Sequence, residues 1–154
     1  MKKHLLTVIF MVLAFAKAYP QQTDKPISQI TDPKEIVQEF FEKFHEQDTT
    51  SLKTMFLPEA QLHSLLKRGN QLKPSHDNIN SFLKGIASIP ETVKFEEQLG
   101  ELQVLKTVNT ATVSMPYTFM VNGQKSHSGT NIFVMLRTRE GWKISSIADS
   151  RVYN

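Results

Sequence analysis

Apolar residues recur at helical spacing in the first half of the chain and at every second position in the last third. Ile36, Val37, Phe40, Phe41 and Phe44 make one helical stripe. Asp32-Pro33-Lys34-Glu35 announces it: Asp caps, Pro takes the first helical position, and Glu can reach back as a capping box. Asp48 begins a shorter helix carrying Leu52, Met55, Phe56 and Leu57, which Pro58 stops. Ser75 is read as the cap of a third helix through Ile86, with Ile79, Phe82, Leu83 and Ile86 on one face. Between these helices, Ala60 to Leu66 fits either period. It is assigned as a short strand with Leu62, Ser64 and Leu66 on one face, ended by a Gly69-Asn70 turn.

From Val93 onward the period is two. Val93, Phe95 and Glu97 form one short strand; Leu102, Val104 and Lys106 form another, ended by Asn109. Ala111, Val113, Met115, Tyr117, Phe119 and Val121 alternate along a long strand, with Pro116 demanding a bulge or a local edge. Asn122-Gly123 and Glu140-Gly141 then join three alternating runs into an antiparallel meander. A type I′ turn at Asn122-Gly123 pairs Val121 with Gln124, and hence Tyr117 with Ser128, Met115 with Thr130 and Val113 with Ile132. A one-residue bulge would instead bring His127 beside Tyr117. Helices first and strands last read as α+β, with helices covering one sheet face.

Lys2 and Lys3 precede an apolar run from Leu5 to Ala16, and Ala16-Lys17-Ala18 follows as a small-x-small exit. Those are the parts of a secretory signal, and the run falls short of the ~20 apolar residues of a spanning helix. The expected organisation is a signal peptide over 1–18, a polar leader over 19–31 and one domain over 32–154. The expected destination is the periplasm or the exterior, with no stable membrane anchor. The chain holds 18 basic and 15 acidic residues. Losing Lys2, Lys3 and Lys17 leaves a neutral domain, which argues against nucleic acid, since that binding rests on phosphate neutralisation. With no cysteine in the chain, stability must come from packing.

The ordered set FEE at Phe95, PYTFMVNGQKSHSG, NIFVML and GWKISSI, behind a capped aromatic helix, resembles the nuclear-transport-factor-2-like superfamily. Its small exported bacterial members are the most similar, and the likeness runs from about Pro33 to Arg151. The resemblance implies three N-terminal helices packed on a strongly bent, mainly antiparallel sheet that forms a cone with a cavity. It also implies frequent homodimers through the outer sheet face. Relatives of that kind include ketosteroid isomerases, dehydratases, polyketide cyclases and binding domains without activity.

The candidate chemistry is sparse. His127 is a natural general base near neutral pH, or else a structural hydrogen bond in the hairpin. Tyr117 can donate to a ligand carbonyl or simply pack its ring. Asp149, beside Arg151, is either an acid–base carboxylate or half of an ion pair. By strict alternation it shares a face with Ile147 and not with Trp142 and Ile144. Glu97 follows Phe95 in the same alternation and is the carboxylate of the Glu96-Glu97 pair that can point inward. If the helices cover the Phe133 face, His127 and Asn131 orient a ligand, with Phe133 and Trp142 as apolar wall. His45, His63, His76 and His127 are widely spaced, without H-x-H or H-E-x-x-H, so no metal is expected. No nucleophile elbow, phosphate loop or cysteine nucleophile is present. Adjacent Ser126 and His127 should face opposite ways, which argues against a nucleophile–base pair. The expectation is a binding domain for a small apolar ligand or a partner protein, without cofactor. The alternative is a cofactor-independent isomerase, dehydratase or cyclase using His127 or Asp149 with Tyr117.

Overall fold

The computed structural model describes residues 31–153; the expected signal peptide and all but the last residue of the leader lie outside them. Helix α1 (Pro33–His45) starts where the sequence announces it, with Asp32 Oδ1 accepting from the Lys34 amide at 3.0 Å and Pro33 in the first turn. Asp32→Ala is expected to cost about 1 kcal/mol and about 3–5 °C of Tm, read by thermal denaturation. An unchanged melting point would show that the cap contributes nothing.

Helix α2 (Thr49–Met55) is capped by Asp48, whose carboxylate accepts from the Ser51 amide at 3.0 Å. It stops before Phe56 and Leu57, which the sequence reading had included. The residue before a proline is pushed towards extended backbone, so Pro58 acts early and Phe56 opens strand β1 (Phe56–Arg68). The short strand read at Ala60–Leu66 is therefore the middle of a longer one.

The third helix departs more. Ser75 does not cap it: β1 pairs Ser64 with Ser75 and carries the chain on as strand β2 (Gln71–Asn78). Asn78 is the cap of α3 (Ile79–Ala87), accepting from the Ser81 amide at 2.9 Å. Pairing to a neighbouring strand overrode a local start signal. The three helices are consequently not all N-terminal to the sheet, because a hairpin separates α2 from α3.

The remaining strands are β3 (Phe95–Leu99), β4 (Gln103–Lys106), β5 (Thr110–Val121), β6 (Gln124–Thr138) and β7 (Gly141–Tyr153). The sheet is seven-stranded, curved and mixed, in the order β2-β1-β7-β6-β5-β3 with β4 also on β5. Every pair is antiparallel except β1 with β7. Pro116 sits opposite the gap between β3 and β4, and its carbonyl accepts from the Gly100 amide at 2.8 Å. Amide and carbonyl of one strand residue point the same way, so the missing N–H takes no bond from the β6 ladder.

Two bulges decide which side chains face the helices. Asn122 and Gly123 adopt φ of 49° and 77°, the double left-handed pair of a type I′ turn, and Val121 pairs with Gln124 as expected. Ser126 is then an extra residue: Met120 pairs with Lys125, Phe119 with His127, and Tyr117 with Gly129 rather than Ser128. The expected pairs slip by one, giving Met115–Asn131 and Val113–Phe133. In β7, Ser145 is extra between the pairs Val134–Ser146 and Met135–Ile144, its hydroxyl donating to the Val134 carbonyl at 3.0 Å. Strict alternation thus fails in β7, and Trp142, Ile144, Ile147 and Asp149 all turn to the same face.

That face carries the core. Val113, Met115, Phe133, Met135, Ile144 and Ile147 from the sheet meet Ile36, Val37, Phe40, Leu52, Met55, Leu83 and Ile86 from the helices, all buried. The helices cover the Phe133 face, the arrangement that places Asn131 and His127 inside the curve. Burying these apolar side chains contributes about 1.5–3 kcal/mol each, the main force holding helices to sheet.

Candidate functional site

A cavity of about 70 Å³ lies between α1, α3 and the inner sheet face. Its apolar part is Phe40, Phe41, Phe44, Phe82, Phe133, Leu62 and Ile147; its polar part is Glu97, Asn131, Asp149 and Arg151. Phe40, Phe44 and Phe82 stand nearly parallel, with interplanar angles of 9° to 13°. The α1 stripe supplies the first two and α3 the third, so helical spacing alone builds this wall. At a liquid water volume of about 30 Å³, the space fits a molecule of a few heavy atoms.

Glu97 is the centre of the polar part. Alternation from buried Phe95 turns it inward, where Asn131 Nδ2 donates to its Oε2 at 2.7 Å. Burial pushes its carboxyl up to about 7, Asp149 adds to this, and the Asn131 amide and Arg151 oppose it. A carboxyl so placed is a hydrogen-bond donor below neutrality and a base above it. Its own backbone amide donates to His45 Nε2 at 2.9 Å, tying β3 to the end of α1.

Asp149 and Arg151 form the second polar group. Arg151 Nε donates to Asp149 Oδ2 at 2.7 Å, and Arg151 Nη2 reaches Ser64 Oγ at 3.2 Å. The Ser64 hydroxyl donates to Asp149 Oδ1. Burial works against the Arg151 charge, but the Asp149 hydrogen bond and charge outweigh it and hold the guanidinium ionised. The pair is thus internally neutralised, and register makes it possible: Ser64 sits beside Asp149, and Asp149 opposite Asn131.

The sequence candidates divide. Asn131, Phe133 and Asp149 line the cavity; His127, Tyr117 and Trp142 do not. His127 is 7% exposed on the inner face, stacked on Phe119 and tilted against Tyr153 with ring centroids 4.9 Å away in each case, and with Tyr117 edge-on. Burial and Arg151 both lower its affinity for a proton, with Asp149 opposing. The Ser126 bulge brings Ser126 Oγ to 3.2 Å from His127 Nδ1, contrary to the expected opposite facing. Tyr117 does take the bulge position near His127, but its hydroxyl donates to the Ser150 carbonyl at 3.0 Å. Burial, with Asp149 and Glu97 nearby, pushes that phenol up, so it is a poor acid. Trp142 donates its indole N–H to the Thr31 carbonyl at 3.1 Å and anchors the chain before α1.

Ser64 and Arg151 carried no functional signal of their own in the sequence. Ser64 shared a face with Leu62 and Leu66, which was legible, but its meeting with Asp149 depends on the parallel β1–β7 pair. Among the described residues, no group of three or more His, Asp or Glu is placed to hold a metal ion, and no helix is long and apolar enough to cross a membrane.

No protein-family profile matches the sequence, and no curated protein matches it significantly. Solved structures do resemble the fold. One is a protein of unknown function with a cystatin-like fold from Nostoc punctiforme, 10% identical, TM-score 0.59, matched over 77% of this chain and 86% of its own. A nuclear-transport-factor-2-like protein from Novosphingobium aromaticivorans is 15% identical, TM-score 0.57, over 76% and 77%. A candidate dehydratase of that family from Streptomyces avermitilis is 18% identical, TM-score 0.59, over 79% of this chain and 94% of its own. Identities this low speak to architecture alone. The chain therefore has the cystatin-like α+β fold of the nuclear-transport-factor-2-like proteins.

Proposed function

We propose that this domain binds a small, uncharged, largely apolar molecule that carries one hydrogen-bond acceptor. The observation behind this reading is the Glu97 carboxyl, braced by Asn131 at the edge of a phenylalanine-lined cavity. Near neutral pH Glu97 is available as a neutral donor, and Asp149 already has Arg151. An anionic ligand would meet no uncompensated partner there, because Arg151 is already held by Asp149, whereas a carbonyl or ether oxygen would meet the Glu97 proton. The small volume supports a molecule of a few heavy atoms. On this reading the cavity is the working end of a cone-shaped domain that acts after export, the signal lying in residues 1–18.

A second reading has one specific observation in its favour. A carboxyl pushed up to about 7 suits cofactor-independent proton transfer, with Glu97 in the role first assigned to His127 or Asp149. Tyr117 does not assist, because its hydroxyl is committed to Ser150. The outer sheet face, which exposes Leu65, Ile132 and Leu136, supports a homodimer, tested by light scattering at micromolar concentration.

Native mass spectrometry of the protein from its own host, followed by titration with small ketones and ethers of a few heavy atoms, tests the binding reading. Binding should weaken at least tenfold between pH 6 and pH 9 as Glu97 ionises. Affinity independent of pH, or preference for a carboxylate ligand, would overturn it. Conversion of a bound molecule would move the case to the second reading.

A further inference from the structure

We infer that His45 is a positioning residue, whose neutral imidazole fixes where the Glu97 carboxyl stands by accepting a hydrogen bond from the Glu97 backbone amide. The inference rests on the reading of Glu97 as the group that meets the ligand. The geometry is unusual in a useful way. An amide N–H donates to Nε2 at 2.9 Å, so that nitrogen carries no proton, and the neutral ring holds its proton on Nδ1. The ring is packed by Phe41 and Phe44 on its own helix and by Phe95 on β3. It is therefore held in one orientation by contacts on both sides of the bond it makes.

Protonating His45 converts this acceptor into a donor. Two N–H groups then face each other in a half-buried site, and the imidazole or β3 must move. Phe95 and Glu97 belong to the same five-residue strand, so the movement reaches the carboxyl that the amide's own residue carries and disturbs its contact with Asn131. Burial lowers the proton affinity of His45, while the charge of Glu96 on β3 raises it. Glu42 and Lys43 on α1 and Glu46 at its C-cap are the neighbouring charges; Lys43 bonds Glu46 at 3.0 Å. Strand β5 carries no charged residue, and β4 carries only Lys106. Glu96 and Glu97 are thus the charged residues that β3 brings to the imidazole. A merely structural histidine would stabilise the fold without reporting on one carboxyl; His45 touches the residue that carries it.

The test follows two signals of Glu97 in the purified protein: its amide hydrogen exchange and the NMR titration of its carboxyl carbon. In the unaltered protein, protection of the Glu97 amide should drop at least tenfold as His45 takes its proton. His45→Gln, whose side-chain oxygen can accept the same bond, should keep protection at low pH and leave the carboxyl midpoint within a few tenths of a pH unit. His45→Leu should lose the protection at every pH and move the carboxyl midpoint down by about one pH unit or more, towards the ordinary carboxylate range. If His45→Leu does not fold, the pH series on the unaltered protein and on His45→Gln still decides. Protection that ignores His45 titration, or a carboxyl midpoint that His45→Leu leaves in place, would overturn the inference. Neither signal requires a ligand, so coupled signals without any binding would sink the binding reading and leave the positioning role standing.

Discussion

Gly129→Ala is expected to bring the protein close to unfolding. A Cβ on residue 129 would lie 1.7 Å from the Ser150 carbonyl oxygen and 3.0 Å from the Tyr117 ring. The first of these atoms is backbone, so no side-chain rotation relieves the clash. Residue 129 also pairs with Tyr117 on one side and Arg151 on the other, in the middle of the sheet. Separating β6 from β7 there breaks ladder bonds and the Tyr117–Ser150 hydrogen bond together. A loss of about 4 kcal/mol or more is expected, the range reserved for backbone strain and core disruption. Urea denaturation beside Thr130→Ala, an exposed neighbour, would measure it. A midpoint for Gly129→Ala as high as that of Thr130→Ala would refute the claim.

Glu97→Gln should do the opposite above neutral pH and stabilise the fold. The folded carboxyl titrates at about 7 against an ordinary value of 4.5. Below 4.5 both folded and unfolded chains hold the proton, and the group has no effect. Between 4.5 and 7 the unfolded chain ionises first, so stability falls as pH rises; above 7 the loss is complete. One pH unit is worth about 1.4 kcal/mol, which makes the full cost on the order of 3 kcal/mol. Glutamine is permanently neutral and keeps an oxygen for the Asn131 amide. The variant should therefore match the native protein near pH 4.5 and exceed it by that amount at pH 8. The His127 contribution is common to both proteins and cancels in the comparison. An equal difference at both pH values would show that Glu97 is not a strained carboxyl. The same substitution removes the titrating group of the cavity, so any pH dependence of ligand binding should flatten.

Local signals carried most of the architecture. The Asp32-Pro33 start, the aromatic stripe of α1, the Asn122-Gly123 turn and the alternation of β3 to β6 are all written within a few residues of where they act. What the sequence concealed has two physical sources. Bulges at Ser126 and Ser145 change the facing of every residue beyond them, and a period-two reading cannot see an extra residue. Hence Asp149 was separated from Trp142 and Ile144, and Tyr117 was set opposite Ser128. Pairing across distance is the other source. Ser75 looked like a helix cap until β1 claimed it as a strand partner, and Ser64 gained its role from a strand far along the chain. Glu97 was legible as inward-facing, but its partners His45 and Asn131 come from two other elements. His127 and Trp142 were placed on the inner face, but neighbours fill the space around them and neither lines the cavity beside Glu97.

The parallel contact of β1 with β7 has a consequence for the order of assembly. Ser64 and Asp149 are 85 residues apart, and no turn can close a parallel pair. The β5–β6–β7 meander needs only tight turns, so it is expected to form early, with the β1–β7 seam closing late against the larger loop entropy. The Ser64, Asp149 and Arg151 cluster straddles that seam. A chain halted before closure would have a meander and much of its core, yet no finished cavity. It would also present β7 as an open strand edge, free to take β1 from another copy and exchange it between two molecules.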